Sequence, residues 1–365
     1  MPETVLKKEE KVVISLRSLY KKYGYLPYKM NKFERYDLYA VNKDFLASEG
    51  IITFNDTDGK LLALKPDVTL SIIKNGTDEV VKQKVFYNEN VYRISAESKQ
   101  FKELMQVGIE CIGDIGAYDV YETLVLAVKS LAEITNDFVL DVSHLGVIDG
   151  VLEEINAGEK FNSAVLALLA EKNLHELRAL CESYAVADDY VEKLVELAKA
   201  YGNMETVLNR LEEICTSNTS KNALEELKEL FALLKASGYE DKIHLDFSVV
   251  SDRKYYNGIV FKGFVDGVHK SVLSGGRYDK LVKRMRRNAG AIGFAVYVDL
   301  LEDLYVEKTP YDVDVLILRD KDTCTYALCE EVQKNIDLGN TVRVEKEKGN
   351  LRFKSLLDMR GDKQC

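Results

Sequence analysis

The sequence predicts an α+β fold: an antiparallel sheet flanked by helices, split by a helical insertion and closed by a small C-terminal α/β segment. Three observations predict it. Runs of strand-like segments with helices to one side occupy the first 149 residues and return near residue 239. Between them, residues 150–238 read as helix throughout. From about residue 311 the pattern becomes β-α-β-α. These shifts divide the chain into 1–149 (first part of the core), 150–238 (insertion), 239–308 (second part of the core) and 309–365 (C-terminal segment).

The elements follow from local pattern. Apolar Val12, Val13, Leu16, Leu19 and Tyr20 recur near a 3.6 period between Val5 and Tyr23, and Gly24 ends that helix. An extended segment, "YLPYKMNKFERYDLY", follows. "GIITFNDTDGKLLAL" reads as a hairpin around Asn55–Gly59. "DVTLSIIKNG" reads as a helix entered after Pro66, with Asp67 near its start. "QKVFYNENVYRI" and "FKELMQVGIECIG" pair about a polar turn. "AYDVYETLVLAVKSLAEI" is an amphipathic helix, and "FVLDVSHLGVIDGVL" a strand leading into another. After the insertion, "IHLDFSVVSDRKYYNGIVFKGFV" is strand-like and forms a hairpin with "HKSVLS". "GGRYDKLVKRM" reads as a turn and helix, and "AIGFAVYVDLLEDL" as a strand into a helix. The closing "LRFKSLLDMR" takes the final helical position of the β-α-β-α pattern.

Composition narrows the function. No run of about 18 apolar residues predicts a membrane span. The N-terminal "MPETVLKKEEKVV" has no apolar core of a signal peptide. The six cysteines form no CxxC pair, which predicts reduced thiols and a cytoplasmic protein. The four histidines lack metal-ligand spacing, so no metal or other cofactor is expected. A net charge of -10 argues against nucleic acid, and the basic run Lys280–Arg287 reads as a charged helix end.

Six segments then occur in order: "LKPDVT", "NVYR", "MQVGIECIG", "KYYNGIVF", "SGGRYDKLV" and "AIGFAVYVDLL". Together they resemble the catalytic core of histidyl-tRNA synthetase, over roughly residues 1 to 305 and including the position of the insertion. The resemblance implies a class II aminoacyl-tRNA synthetase-like sheet and a histidine pocket. In that pocket Asp67, Thr69 and Gln106 match the residues that hold the substrate ammonium. Glu110 and Tyr256 match those that read the imidazole, Tyr255 and Tyr278 line it, and Arg93 matches the second-motif arginine that would meet the carboxylate. The residue chemistry suits the task. An ammonium favours carboxylate and hydroxyl acceptors, and an imidazole is selected by one donor and one acceptor.

The phosphate-handling residues of that family are replaced. Its "RGLDYY" arginine falls at Ser251 of "SDRKYY", and its third-motif arginine at Leu300. Tyr297 stands where a glycine admits adenine, Ser95 replaces an acidic residue, and Asn31 stands at the usual first-motif proline. Without cations over the reacting phosphates little adenylation is expected, so no catalytic residue is assigned. The chain looks most similar to the regulatory subunits of ATP phosphoribosyltransferase, synthetase paralogues of histidine biosynthesis. That likeness implies a short-form catalytic subunit as partner, L-histidine as feedback effector, and a homodimer within a hetero-octamer. The alternatives are an active synthetase with degenerate motifs, or a synthetase-like binding module for another partner. The 55 or so C-terminal residues suffice for only part of an anticodon-binding domain.

Overall fold

The computed structural model describes residues 6–46, 50–76, 82–95, 98–250, 255–305 and 310–361. The chain divides into two units, Met1–Tyr305 and Val306–Cys365. The first unit opens with helix α1 (Lys8–Lys22), which buries Val12, Val13, Leu16, Leu19 and Tyr20. It closes where Gly24 takes a φ of +80°, a conformation glycine adopts without strain. Strands β1 (Leu26–Pro27) and β2 (Phe33–Arg35) follow, then a short helix α2 (Tyr36–Val41). This helix replaces the end of the extended segment expected there, because turning the chain places Tyr39 fully inside the cluster around Val68, Leu70 and Ile72. The hairpin is present as β3 (Thr53–Asn55) and β4 (Leu61–Leu64). Its turn is held by Asp56, whose Oδ1 accepts the N–H groups of Asp58 at 2.9 Å and Lys60 at 2.7 Å. β4 also pairs with β2 to make a three-stranded sheet.

Helix α3 (Thr69–Asn75) leads to two long strands, β5 (Lys82–Ile94) and β6 (Phe101–Gly113), paired antiparallel over their full length. Helix α4 (Ala117–Ala132), strand β7 (Phe138–His144) and helix α5 (Leu145–Ile155) come next. The insertion continues as α6 (Glu159–Ala170), α7 (Leu174–Ser183), α8 (Asp188–Lys199), a short strand β8 (Tyr201–Asn203), α9 (Met204–Ile214) and α10 (Asn218–Ala236). The core resumes with β9 (Ile243–Asp246), β10 (Ile259–Val265), β11 (Leu273–Arg277), helix α11 (Asp279–Arg284) and β12 (Gly290–Tyr297). Two readings change here. Tyr255 and Tyr256 lie in the connection before β10 rather than in a strand. Gly275–Arg277 belong to β11 rather than a turn, because Gly275 and Gly276 let the backbones of β12 and β10 pass within van der Waals contact.

These strands form a nine-stranded sheet in the order β1-β5-β6-β12-β11-β10-β7-β9-β8, antiparallel except for β1–β5 and β7–β9. The period of two along each strand separates its faces. Phe86, Val107, Ile109, Cys111, Phe261, Ile292, Phe294 and Val296 pack into one core with α1, α4 and the insertion helices. The alternate positions, including Gln106, Glu110, Lys262, Ser274, Gly293 and Tyr297, face the other way and line a cavity.

The second unit has strands β13 (Val313–Leu318), β14 (Val342–Glu345) and β15 (Phe353–Asp358) with helix α12 (Thr325–Asp337). Both outer strands run parallel to the central β13. The segment expected as a last helix is therefore β15, since the buried Val315–Leu318 run needs hydrogen-bond partners on both edges. Cys324 is disulfide-bonded, against the expectation of reduced thiols, whereas Cys111, Cys181 and Cys215 are buried and free. Sequence spacing carries no information on which thiols meet in space. Among the described residues no helix is long and apolar enough to cross a membrane.

One buried ion pair fixes the entry to α3. The Lys65 ammonium is 1% exposed and pairs with Glu89 on β5, while the Tyr92 N–H donates to the Lys65 carbonyl at 2.9 Å. Glu89→Ala would leave that ammonium buried and unpaired. A loss of about 3–5 kcal/mol is expected, read as a lower urea midpoint with an unchanged slope.

Candidate functional site

Pro66 ends the extended run after β4, and the chain turns into α3 with Asp67 at its entrance. The Asp67 Oδ1 accepts the Leu70 N–H at 2.8 Å, satisfying one of the donors a helix leaves open at its start. This bond holds the other carboxylate oxygen toward β5. There Arg93 approaches it at 3.7 Å and also donates from Nε to the Pro66 carbonyl at 2.6 Å. Burial pushes the Asp67 carboxyl up, and Arg93 and the helix N–H groups pull it partly back.

Glu110 projects from the C-terminal part of β6 beneath this entrance. The Thr69 hydroxyl donates to its Oε1 at 2.7 Å, and the Tyr278 hydroxyl donates to Oε2. Glu110 is 3% exposed. Burial pushes its carboxyl up to about 8, against the pull of the Tyr278 and Thr69 hydroxyls and with help from the Asp67 charge. The carboxyl fits because Gly293 stands directly opposite it on β12, where any Cβ would overlap Oε2.

The tyrosines form the opposite wall. Tyr255 packs against Tyr256 and Tyr278 with ring centroids 4.5 and 5.8 Å apart, and Phe45 lies 6.2 Å from Tyr255. Asp279, which follows Tyr278, anchors their connection. Its Oδ2 accepts from Arg277 Nε at 2.8 Å and from Asn257 Nδ2 at 3.1 Å, and its Oδ1 accepts the Ala291 N–H at 2.9 Å. The Asn257 N–H donates to the Arg277 carbonyl at 2.8 Å, and Gly258 turns the chain at a φ of +79°.

All eight residues singled out from the sequence line one cavity of about 470 Å³: Asp67, Thr69, Arg93, Gln106, Glu110, Tyr255, Tyr256 and Tyr278. Tyr297 lines it too, hydrogen-bonded through its hydroxyl to Ser274 Oγ at 2.7 Å. Leu300 lies half-buried against the core after β12, away from the cavity lining, and Ser251 falls outside the described residues. Sequence reasoning missed Tyr87, Ser274 and Lys262, which also line the cavity. A signal for Lys262 was present: it is the single charge within the apolar strand "IVFKGFV". The arrangement offers carboxyl, hydroxyl and amide groups to a ligand rich in N–H donors, with tyrosine rings over its body.

A sequence profile of the histidyl-tRNA synthetase family matches residues 2–301. The ATP phosphoribosyltransferase regulatory subunit of Bacillus subtilis is 31% identical over 316 residues, which span 85% of this chain and 80% of that one. A solved ATP phosphoribosyltransferase regulatory subunit/histidyl-tRNA synthetase from Bacillus halodurans superposes with a TM-score of 0.79 at 22% identity, covering 97% of this chain and 94% of that one. A chain of the ATP phosphoribosyl transferase complex from Thermotoga maritima gives 0.63 at 19% identity, covering 80% and 97%. The class II synthetase-like fold is common to them.

The Glu110 environment makes a test of pH. Its native carboxyl keeps a proton between about 4.5 and 8 that the unfolded chain has released. Its contribution to stability is therefore full at low pH and lost as pH rises toward 8. Glu110→Gln removes that titration. Its stability relative to the parent protein should rise between pH 5 and pH 8.5 by on the order of a few kcal/mol, measured by urea unfolding at both pH values. A difference that stays flat across this range would show that Glu110 is ionised throughout.

Proposed function

The chain belongs to the histidyl-tRNA synthetase family, among its ATP phosphoribosyltransferase regulatory subunits, and from that premise we propose that it is a non-catalytic subunit of ATP phosphoribosyltransferase that senses histidine. The observation that carries the reading is the make-up of the cavity. It keeps a full set of acceptors for an amino acid with an N–H-bearing ring, while the positions that handle ATP phosphates in the synthetases hold Leu300 and Ser251. Tyr297 supports the same reading, because its ring fills space at the position of the glycine that admits adenine.

In this reading the ligand ammonium lies near Asp67, Thr69 and Gln106, and the imidazole meets Glu110 and Tyr256. A carboxyl held near neutrality suits the ring, since Glu110 can donate to a pyridine-type nitrogen or, once ionised, accept from N–H. The partner is a short-form catalytic subunit, in a hetero-octamer built on a dimer of this chain. The fold shared with a chain of the Thermotoga maritima complex supports that pairing. Feedback requires that histidine bind the inhibited state of the complex more tightly than the active one. A coupling of about 1–3 kcal/mol corresponds to roughly 5–150-fold control.

Reconstitution tests this. This chain is mixed with a short-form catalytic subunit from the same organism, and phosphoribosyl-ATP formation is followed with and without histidine. Activity should depend on this chain and fall as histidine is added. Glu110→Ala and Tyr256→Phe should move inhibition to histidine concentrations at least about ten-fold higher. Wild-type sensitivity in both variants sinks the pocket assignment, and no effect of the chain on the catalytic subunit sinks the regulatory reading. Histidine-dependent ATP–pyrophosphate exchange by the chain alone would establish a working synthetase instead.

A further inference from the structure

Two cations line the cavity among the described residues, Arg93 and Lys262, and they differ in what they already hold. Arg93 is partly engaged: its Nε donates to the Pro66 carbonyl, and its guanidinium faces the Asp67 carboxylate at 3.7 Å. Lys262 projects from β10 into the cavity, half-buried, and among the described residues its ammonium has neither a hydrogen bond nor an ion pair. A charged group drawn partly out of water without a counter-charge is costly, and an anion placed against it recovers that cost.

Sheet register places Lys262 relative to the acceptor groups. Lys262 stands opposite Ser274 on β11, and Ser274 stands opposite Ala295 on β12. Gln106 on β6 is opposite Tyr297, whose hydroxyl meets Ser274. Between Gln106 and Lys262 the cavity floor carries the small residues Ala295 and Ser274 and the ring of Tyr297, whose hydroxyl reaches Ser274. The acceptors around Asp67 and Gln106 and the ammonium of Lys262 thus face one cavity, with the Tyr297 ring along its floor. On its other side Lys262 is in register with Asp141 of β7, and the two make no ion pair. Buried Asp141 lies instead 3.9 Å from His244.

We infer that Lys262 reads the carboxylate of the bound amino acid, so that the cavity accepts the free acid and rejects its alcohol, amide and ester forms. The inference rests on the reading of this cavity as a histidine site and shifts the carboxylate from Arg93, where the family resemblance puts it, to the uncommitted cation. A site built around a specific charged partner rejects an analogue that lacks it far more strongly than an apolar site rejects a missing methylene. For a feedback sensor the consequence is a readout of the free amino acid, undisturbed by precursors that carry the same ring and amine on an uncharged end.

Calorimetry on the full chain separates the possibilities. The probes are L-histidine and L-histidinol, which keeps the imidazole and amine and replaces the carboxylate with a hydroxymethyl group. The parent protein should bind histidine at least ten-fold more tightly than histidinol. Lys262→Met should weaken histidine at least ten-fold, leave histidinol within two-fold, and bring the ratio close to one. Lys262→Arg should keep the preference. A Lys262→Met protein that retains the parent ratio overturns this inference alone. Loss of both ligands in that variant also overturns it, since the residue would then be structural. A parent protein that binds neither probe overturns the histidine reading and this inference with it.

Discussion

A carboxyl group buried in the middle of a sheet needs an absent side chain beside it, and the site depends on that constraint. Glu110 occupies space that a Cβ on Gly293 would take, and Gly108 on the same strand leaves room for the Tyr87 hydroxyl. Gly276 admits the ring of Tyr256 in the same way. These glycines sit in strands, where they cost backbone entropy and contribute no packing of their own. Their benefit lies on the cavity face, where they let large polar side chains lie flat on the sheet. The opposite face of the same strands carries Ile109, Ile292, Phe294 and Phe261, buried in one core with the helices. One face stabilises the sheet so that the other can hold a destabilising group such as Glu110.

Asp279 supplies the second level of order. Its carboxylate accepts from β11, from β12 and from Asn257, so the tyrosine connection, Tyr278 and the strand bearing Gly293 share one anchor. The connection is also fastened toward the insertion. The Leu145 N–H donates to the Gly258 carbonyl at 2.8 Å, and His144 meets Glu226 of α10 at 3.1 Å. The cavity wall is thus attached to the core sheet at one side and to the inserted helices at the other. The basic run after Asp279 is used internally as well. Arg284 donates to the Val41 carbonyl at 3.1 Å and Arg287 to the Ile73 carbonyl at 3.2 Å, holding the end of α11 and the turn after it against α2 and α3. Part of the cluster that stands out in an acidic sequence is therefore a set of helix-end ties.

Much of the fold was legible because its signals are local. The β-rich runs "QKVFYNENVYRI" and "FKELMQVGIECIG" on either side of a polar turn mark two paired strands, and the heptad-like spacing from Gly150 onward marks helices. The misreadings are positions where tertiary demands overrode local preference. Tyr36–Val41 coil into a helix to bury Tyr39, the glycines of "SGGR" enter a strand to allow close backbone approach, and β15 completes a parallel sheet. Eight cavity-lining residues were legible through motif order: Asp67, Thr69, Arg93, Gln106, Glu110, Tyr255, Tyr256 and Tyr278. Lys262 and Tyr87 escaped because a lone charge or aromatic residue in a strand has no directional meaning until the strand's register is known.

The sequence by itself determined the periodicities, the order of the elements and the identity of most side chains at the cavity, because each of these resides in short stretches of chain. Only the tertiary structure decided how those side chains are used. Arg93 is engaged by Asp67 and Pro66, burial beside Gly293 pushes the Glu110 carboxyl up, and Lys262 faces the cavity with no ion pair among the described residues. The physical reason is that charge state and hydrogen-bond commitment depend on burial and on partners distant in sequence. Those partners meet only when β5, β6, β12, β11 and β10 align in register across the sheet.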